Sequence, residues 1–362
     1  MNFEPKYSIT EENAVTDDSN KSPVTFNFGT HKPRIKIAFV SQPEYFRFIY
    51  ENELNSFAEV FEFRLRMNMQ PSDFNSLIAF QADYNFIFRG EYIPDVVLRK
   101  INGLSIALSS EPFPRIILDR VEFTNDSILR YLLFRGIRNK PFDYVFHYDA
   151  ASLPLFTKDQ LFISGQFPFP VATTVYHPSN RSKEWDIFFI GRSSAHRERH
   201  FNFLKHRYNF LHICHGVYGA PLVDYICSAK ICLNIHAEKE VSWEPRIQMM
   251  LACGAFVISE KITPNSYLRP GIDYVEISSR QELENAVAYY LQNESARLQI
   301  ARNGYERVRT VLDSKTCFQQ LISDLEGERL NKFKVGKGIL VFDILSKALR
   351  IWAWSKCRLI DK

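Results

Sequence analysis

Short runs of β-branched and aromatic residues recur along the chain, each followed by a longer stretch with amphipathic-helix spacing. That alternation constrains the fold more than any other feature. In the first half the runs are Lys36–Ser41, Val60–Leu65, Asn85–Arg89, Leu104–Ser109 and Tyr144–Tyr148. They are too continuously apolar to leave one face in water, which predicts a parallel sheet covered by helices on both sides. Pro168, Pro170 and Pro178 then break any helix and mark a crossing to a second unit. The pattern restarts with Asp186–Gly191, Phe210–Cys214, Ile231–Ile235, Phe256–Ser259 and Tyr274–Ile277, followed by helical stretches over Gln281–Gln292, Ser295–Val311 and Ser314–Leu325. The expected class is α/β, with two Rossmann-like domains facing across a cleft and helices at the C-terminal end. The expected division is a polar tail (1–33), an N-terminal Rossmann-like domain (34–165), a linker (166–182), a C-terminal Rossmann-like domain (183–327) and a basic amphipathic tail (328–362).

A length of 362 residues suits two cores. A formal charge of +4 with scattered basic residues argues against a nucleic-acid binder and is compatible with small anionic ligands. No apolar run approaches the roughly 20 residues of a membrane-spanning helix, and residues 1–32 lack the apolar centre of a signal peptide, so a cytoplasmic protein is expected. The cysteines at 214, 227, 232, 253, 317 and 357 have no C-x-x-C pair and read as reduced thiols. Cys214 and Cys232 lie near His212, His215 and His236, but without metal-ligand spacing, so no metal site is expected.

In open α/β folds ligands bind at the carboxyl ends of strands, so the loops after strands carry the candidates. After the run ending at Ile190 come Gly191, Arg192, Ser193 and Ser194, with Arg197 and Arg199 in the next helix. A flexible glycine, hydroxyls, helix-terminal amides and arginines make an anion cradle suited to a diphosphate. His215, Gly216, Tyr218 and Gly219 offer an imidazole and a ring for a base to stack on. Val241-Ser-Trp-Glu-Pro-Arg-Ile-Gln-Met-Met-Leu-Ala-Cys-Gly254 reads as a helix opened by Pro245, capped by Ser242 or Glu244 and stopped by Gly254. Its amino end would place Arg246 where a diphosphate leaving group is held, with Trp243, Glu244 and Gln248 clustered beside it.

These segments resemble the spore-maturation CgeB-like glycosyltransferases of the GT-B fold. The resemblance is carried by Phe188-Phe-Ile-Gly-Arg-Ser-Ser, Ser228-Ala-Lys-Ile-Cys-Leu-Asn-Ile-His236, Glu244-Pro-Arg-Ile-Gln-Met-Met-Leu-Ala-Cys-Gly254, Leu268-Arg-Pro-Gly-Ile-Asp-Tyr274 and Ile300-Ala-Arg-Asn-Gly-Tyr-Glu-Arg-Val308. It covers 186–325; the first half is similar only in its β-α pattern. It implies sugar transfer from a nucleotide-diphosphate-sugar donor to a glycan, lipid-linked or protein acceptor, with no metal and no cofactor. Gly191 and Arg192 would approach the diphosphate, Lys230 and Asn234 would line the donor pocket, and Arg246 would contact phosphate. Two departures stand out. Met249 occupies the place where many GT-B enzymes hold the ribose with a glutamate, and Val241 stands where the family pattern has another. They keep open an alternative, a noncatalytic nucleotide or sugar binder on a degenerate scaffold. A dinucleotide-dependent dehydrogenase is disfavoured by the lack of G-x-G-x-x-G after a strand.

In the first half, Ser109-Ser-Glu-Pro-Phe-Pro-Arg115 brings Glu111 toward the cleft as a general base for an inverting transfer. Arg89-Gly90-Glu91 and His147-Tyr148-Asp149 are further candidates there. In the tail, Phe342, Leu345, Leu349 and Trp352 share one side of a helix among lysines and arginines. This fits either peripheral contact with the inner face of a membrane or a helix folded back on the N-terminal domain.

Overall fold

The computed structural model describes residues 34–117, 120–239 and 242–349. β1 (Ile35–Ser41), β2 (Ala58–Arg64), β3 (Tyr84–Phe88), β4 (Leu104–Ser109), β5 (Tyr144–His147) and the two-residue β6 (Gly165–Gln166) form a sheet in the order β2-β1-β3-β4-β5-β6. Every pairing in it is parallel. The crossovers are shorter than the sequence pattern suggests. Only α1 (Asn125–Phe134), capped by the Thr124 hydroxyl, reaches ten residues. The others run to six residues at most and include short turns starting at Pro43, Pro71 and Asp95, the first two opened by the proline itself.

The second sheet is built from β7 (Trp185–Ile190), β8 (Phe210–Ile213), β9 (Ala229–Asn234), β10 (Val257–Glu260) and β11 (Val275–Ile277) in the order β8-β7-β9-β10-β11. It too is wholly parallel. Its helices are α2 (Ala195–Arg207), α3 (Ala220–Cys227), α4 (Arg246–Ala252), α5 (Arg280–Gln292), α6 (Glu294–Val311) and α7 (Ser314–Glu326). In each sheet the chain leaves its first strand in one direction and then returns past it. The resulting switch points lie between β1 and β3 and between β7 and β9.

One apolar core runs from Phe39, Phe86 and Phe146 of the first sheet through Phe169 and Tyr176 of the connecting segment to Phe188, Trp243 and Ile247 beside the second. Separate clusters back the far faces, around Val40, Ile87 and Val145 on one sheet and Ile187, Phe189 and Ile258 on the other. The first part of the connecting segment, residues 167–172, is buried and pairs with a second crossing. The Val171 amide donates to the Leu312 carbonyl at 2.8 Å and the Ser314 amide donates back to Val171 at 3.0 Å. Beyond that point α7 returns to the first sheet, where Phe318 meets Phe39 and Phe86 edge-on.

A further helix over 340–349 lies against the first domain. Its inward face is Phe342, packed on Tyr131, Asp343, paired with Arg135 at 2.7 Å, and Ser346, whose hydroxyl donates to the Leu132 carbonyl. Leu345, expected to share the face of Phe342, is instead exposed together with Leu340, Val341 and Ile344. Trp352 falls outside the described residues. No helix among the described residues is long and apolar enough to cross a membrane.

Candidate functional site

The carboxyl ends of β7 and β9 flank the switch point of the second sheet, and Arg246 bridges them. Its guanidinium donates to the Ile190 carbonyl at 2.8 Å, the Ile235 carbonyl at 3.1 Å, the Asn234 side-chain oxygen at 3.1 and 3.2 Å, and Glu244 at 2.6 Å. Asn234 is held from behind by its own amide donating to Ser259. Arg197, from the first turn of α2, lies alongside and donates to the Ile235 and Arg192 carbonyls and to Glu244. Both guanidinium groups lie within 5.0 Å of the centre of the Phe189 ring, whose face favours cations. Burial and the neighbouring Arg246 push Arg197 down to about 10, so it stays charged at neutral pH. Burial alone would raise Glu244, but Arg246, His236 and Arg197 together hold it far below the usual carboxylate range.

Gly191 follows β7 with φ near +146°, a conformation that side chains disfavour. A Cβ there would lie 2.8 Å from Arg246 Nη1 and 3.3 Å from Arg197 Nη1. The glycine is what lets the backbone close over the two arginines.

Two hollows meet at Arg246. The first, about 400 Å³, is lined by Ile190, Cys214, His215, Gly216, Val217, Tyr218, Gly219, Leu222 and Met249 of the second domain. From the first domain come Pro43, Glu44, Tyr45, Arg47, Phe48 and Glu51, with Tyr176 from the connection. Its lining is mostly apolar and aromatic. Glu51 carries the carboxylate nearest Gly219, and burial raises its pKa despite the neighbouring Arg47. The second hollow is polar. Arg192, Arg197, His236, Glu238 and Glu244 face Asp126, Arg130 and Tyr148 across it. The Arg192 side chain is exposed there and makes no hydrogen bond or ion pair among the described residues. Burial, with Glu238 adding repulsion, raises the pKa of Asp126.

The cleft therefore brings together Gly191, Arg192, His215, Gly216, Glu244 and Arg246, with Asn234 as the buried support of Arg246. Other expectations are corrected. Lys230 sits near the amino end of β9, four residues before Asn234, and pairs with Asp186 at 2.8 Å instead of lining the cleft. Trp243 and Gln248 are 1% exposed. The indole donates to the Gln248 oxygen and the Gln248 amide to the Phe169 carbonyl, so both fasten α4 to the connecting segment and face no ligand. The Ser193 hydroxyl donates to Glu198, and that of Ser194 caps α2 and donates to the Ala237 carbonyl, so neither is open to an anion. Pro245 itself takes the cap position of α4, which has seven residues and no side-chain cap, leaving the Arg246 side chain to supply the charge.

Glu111 is clamped by Arg89 at 2.9 Å and by Arg130, and lines neither hollow; two guanidinium groups outcompete the cleft for it. Of the remaining first-half candidates, Arg89 also pairs with Glu91, His147 is wholly buried, and Asp149 accepts from Thr263 at 3.0 Å across the domain boundary. Val241 falls outside the described residues. Glu51, Asp126, Arg130 and Tyr176 were missed by the sequence reading. The only sequence signal for them was their location after β1, at the start of α1, or in the connection.

Residues 183–323 match the family model described as Glycosyl transferase-like. Sucrose-phosphate synthase from Thermosynechococcus elongatus is similar to the chain at a TM-score of 0.53 and 11% identity, over 82% of this chain and 100% of that one. HepE of Anabaena in complex with UDP-glucose is similar at 0.54 and 11%, over 81% and 100%. The fold is GT-B. HepE has also been solved in complex with UDP, and it matches in that form at 0.53 and 12% identity, again over 81% and 100%. Among curated proteins none matches this sequence. On a GT-B frame the two hollows fall between the facing domains, where both sheets present their strand ends.

Proposed function

We propose that the protein is a glycosyltransferase that takes a sugar from a nucleotide-diphosphate-sugar donor, of the CgeB-like kind. The observation that carries this reading is Arg246, fixed across the switch point of the second sheet between an apolar, aromatic hollow and a polar, arginine-lined one. The first suits a nucleoside, with His215 and Tyr218 beside the base and Glu51 offering from the opposite domain the carboxylate that Met249 lacks. The second suits the diphosphate and sugar. Arg192 is free to reach phosphate, while Arg246 and Arg197 present fixed positive charge toward the leaving group without reorganising. That arrangement needs no metal at the diphosphate. In this reading residues 34–165 carry the acceptor and 183–327 the donor. If the transfer inverts configuration, the carboxylate to take the acceptor proton is Asp126, which lines the polar hollow and has its pKa raised by burial. Arg130 Nε donates to it at 2.7 Å and holds it in place. The acceptor would be a glycan, a lipid-linked sugar or a protein. The exposed apolar side of helix 340–349 would give a cytoplasmic enzyme peripheral contact with a membrane.

Met249 in the first hollow favours a second reading, nucleotide binding without transfer. Thermal-shift screening against UDP, GDP, ADP, CMP and dTDP, followed by release of nucleotide from the matching sugar donor, separates the two. Binding with turnover supports the transferase, binding without hydrolysis or transfer supports the binder, and no shift at millimolar nucleotide refutes both.

A further inference from the structure

Outside the cleft, α2 and the end of β10 bring together His196, His200 and Glu260, whose ligand atoms all lie within 4.8 Å of one another. From this cluster we infer a divalent transition-metal site of the zinc class, held by His196 Nε2, His200 Nε2 and Glu260 Oε1.

The two histidines are four residues apart and so share one face of α2, with ring centres 4.7 Å apart. Glu260 Oε1 lies 2.8 Å from His196 Nε2 and 3.6 Å from His200 Nε2. Bonds of the usual zinc length in a tetrahedron place ligand atoms about 3.3 Å apart, between these two distances, so sub-ångström side-chain adjustment closes the set. The orienting contacts that metal ligands usually need are present for two of the three, His200 and Glu260. His200 Nδ1 lies 3.0 Å from the His196 carbonyl; a proton on Nδ1 donates there and leaves the Nε2 lone pair outward. Glu260 Oε2 accepts the His236 amide at 2.7 Å, which fixes the carboxylate and leaves Oε1 to the histidines. Without metal, His196 Nε2 and Glu260 Oε1 are hydrogen-bonded, and a metal ion between them would take the place of the bridging hydrogen.

Two imidazoles and one carboxylate are a borderline-soft set that suits zinc better than calcium or magnesium. The remaining side opens onto a surface hollow of about 580 Å³, where Arg199, Lys239, Lys261 and Arg280 supply positive charge. These cations favour an anionic fourth ligand, such as hydroxide or inorganic phosphate. His236 lines both this hollow and the polar hollow of the cleft, but none of the three ligands lines the cleft, and the zinc assignment does not rest on the proposed transfer reaction.

The test is titration of the chelator-stripped, full-length protein with zinc chloride against a competing chelator, together with the visible spectrum of the cobalt-loaded protein. One zinc per chain is expected. Removing a ligand costs more than removing a supporting contact, so His200→Asn and Glu260→Gln are each expected to weaken binding more than about 100-fold. Cys317→Ser, a control at a thiol outside both hollows and the cluster, is expected to leave zinc affinity unchanged. The cobalt form is expected to show d–d bands of a nitrogen and oxygen site without thiolate charge-transfer absorption, a result that does not depend on any variant folding. The assignment is overturned by failure to bind stoichiometric zinc, by thiolate bands, by unchanged affinity in the His196→Asn/His200→Asn double variant, or by stabilisation with inorganic phosphate alone.

Discussion

Replacing Gly191 with alanine tests whether the backbone must close over the two arginines. The added methyl would sit 2.8 Å from Arg246 Nη1, and that nitrogen is pinned at 2.8 Å to the Ile190 carbonyl. A φ of +146° costs a side-chain-bearing residue about 1–3 kcal/mol. Displacing a guanidinium from a charge-assisted hydrogen bond adds about 1.5–3 kcal/mol. The sum, roughly 2.5–6 kcal/mol, is a large share of the roughly 5–15 kcal/mol typical of a folded domain, so the variant is expected to fold with a clearly lowered melting temperature. Because the displaced arginines form the floor between the two hollows, affinity for whichever nucleoside diphosphate binds should fall by about 10- to 100-fold, the loss of one to two charged contacts. Calorimetric melting and isothermal titration measure the two effects separately. A variant that melts with the wild type and binds as tightly would refute the reasoning. A variant that loses stability but keeps its affinity would show that Gly191 serves the fold alone.

Arg192→Gln removes an exposed guanidinium that makes no hydrogen bond or ion pair among the described residues, so stability should be unchanged while nucleoside-diphosphate affinity drops at least about 10-fold. His147 is wholly buried, and burial lowers its pKa from 6.5 to about 3. It stays neutral when folded and takes a proton near pH 6.5 when unfolded, so its stabilising effect is complete above that pH and is lost as pH falls. At pH 5 the loss is about 2 kcal/mol. Denaturation at pH 5 and 7.5 should show a smaller difference in His147→Phe than in the wild type, and an equal difference would refute the assignment. Exchanging the exposed Leu340, Val341, Ile344 and Leu345 for serine should abolish co-sedimentation with anionic phosphatidylserine vesicles without shifting the melting temperature. Co-sedimentation equal to that of the wild type would count against membrane contact.

The β-α alternation was legible because buried parallel strands are written as continuous apolar runs, and every predicted strand lies within two residues of an observed one. Local motifs also placed the Gly191 turn and the Arg246 helix correctly at the strand ends. What a linear reading could not supply was partner choice. Gln248 and Trp243 look like polar and aromatic residues clustered beside Arg246, but their polar atoms satisfy each other and a carbonyl of the connecting segment. Glu111 has the chemistry of a base, yet two arginines distant in sequence claim it. Lys230 belongs to a cleft-forming strand but to its wrong end, a distinction visible only when strand direction is known. Glu51 faces the second domain from a loop with no motif at all.

The two chain crossings between the domains lie side by side, joined where Val171 pairs with Asp313. If the cleft opens, that paired junction is the natural place for it to turn, because both connections pass through it. The same junction governs how the molecule can be divided. A fragment of residues 183–323, the matched family segment, would carry Phe318 away from the rings of Phe39 and Phe86 and cut α7 before Leu325. The first sheet would then lose part of its own cover, so each half depends on chain that sequence order assigns to the other.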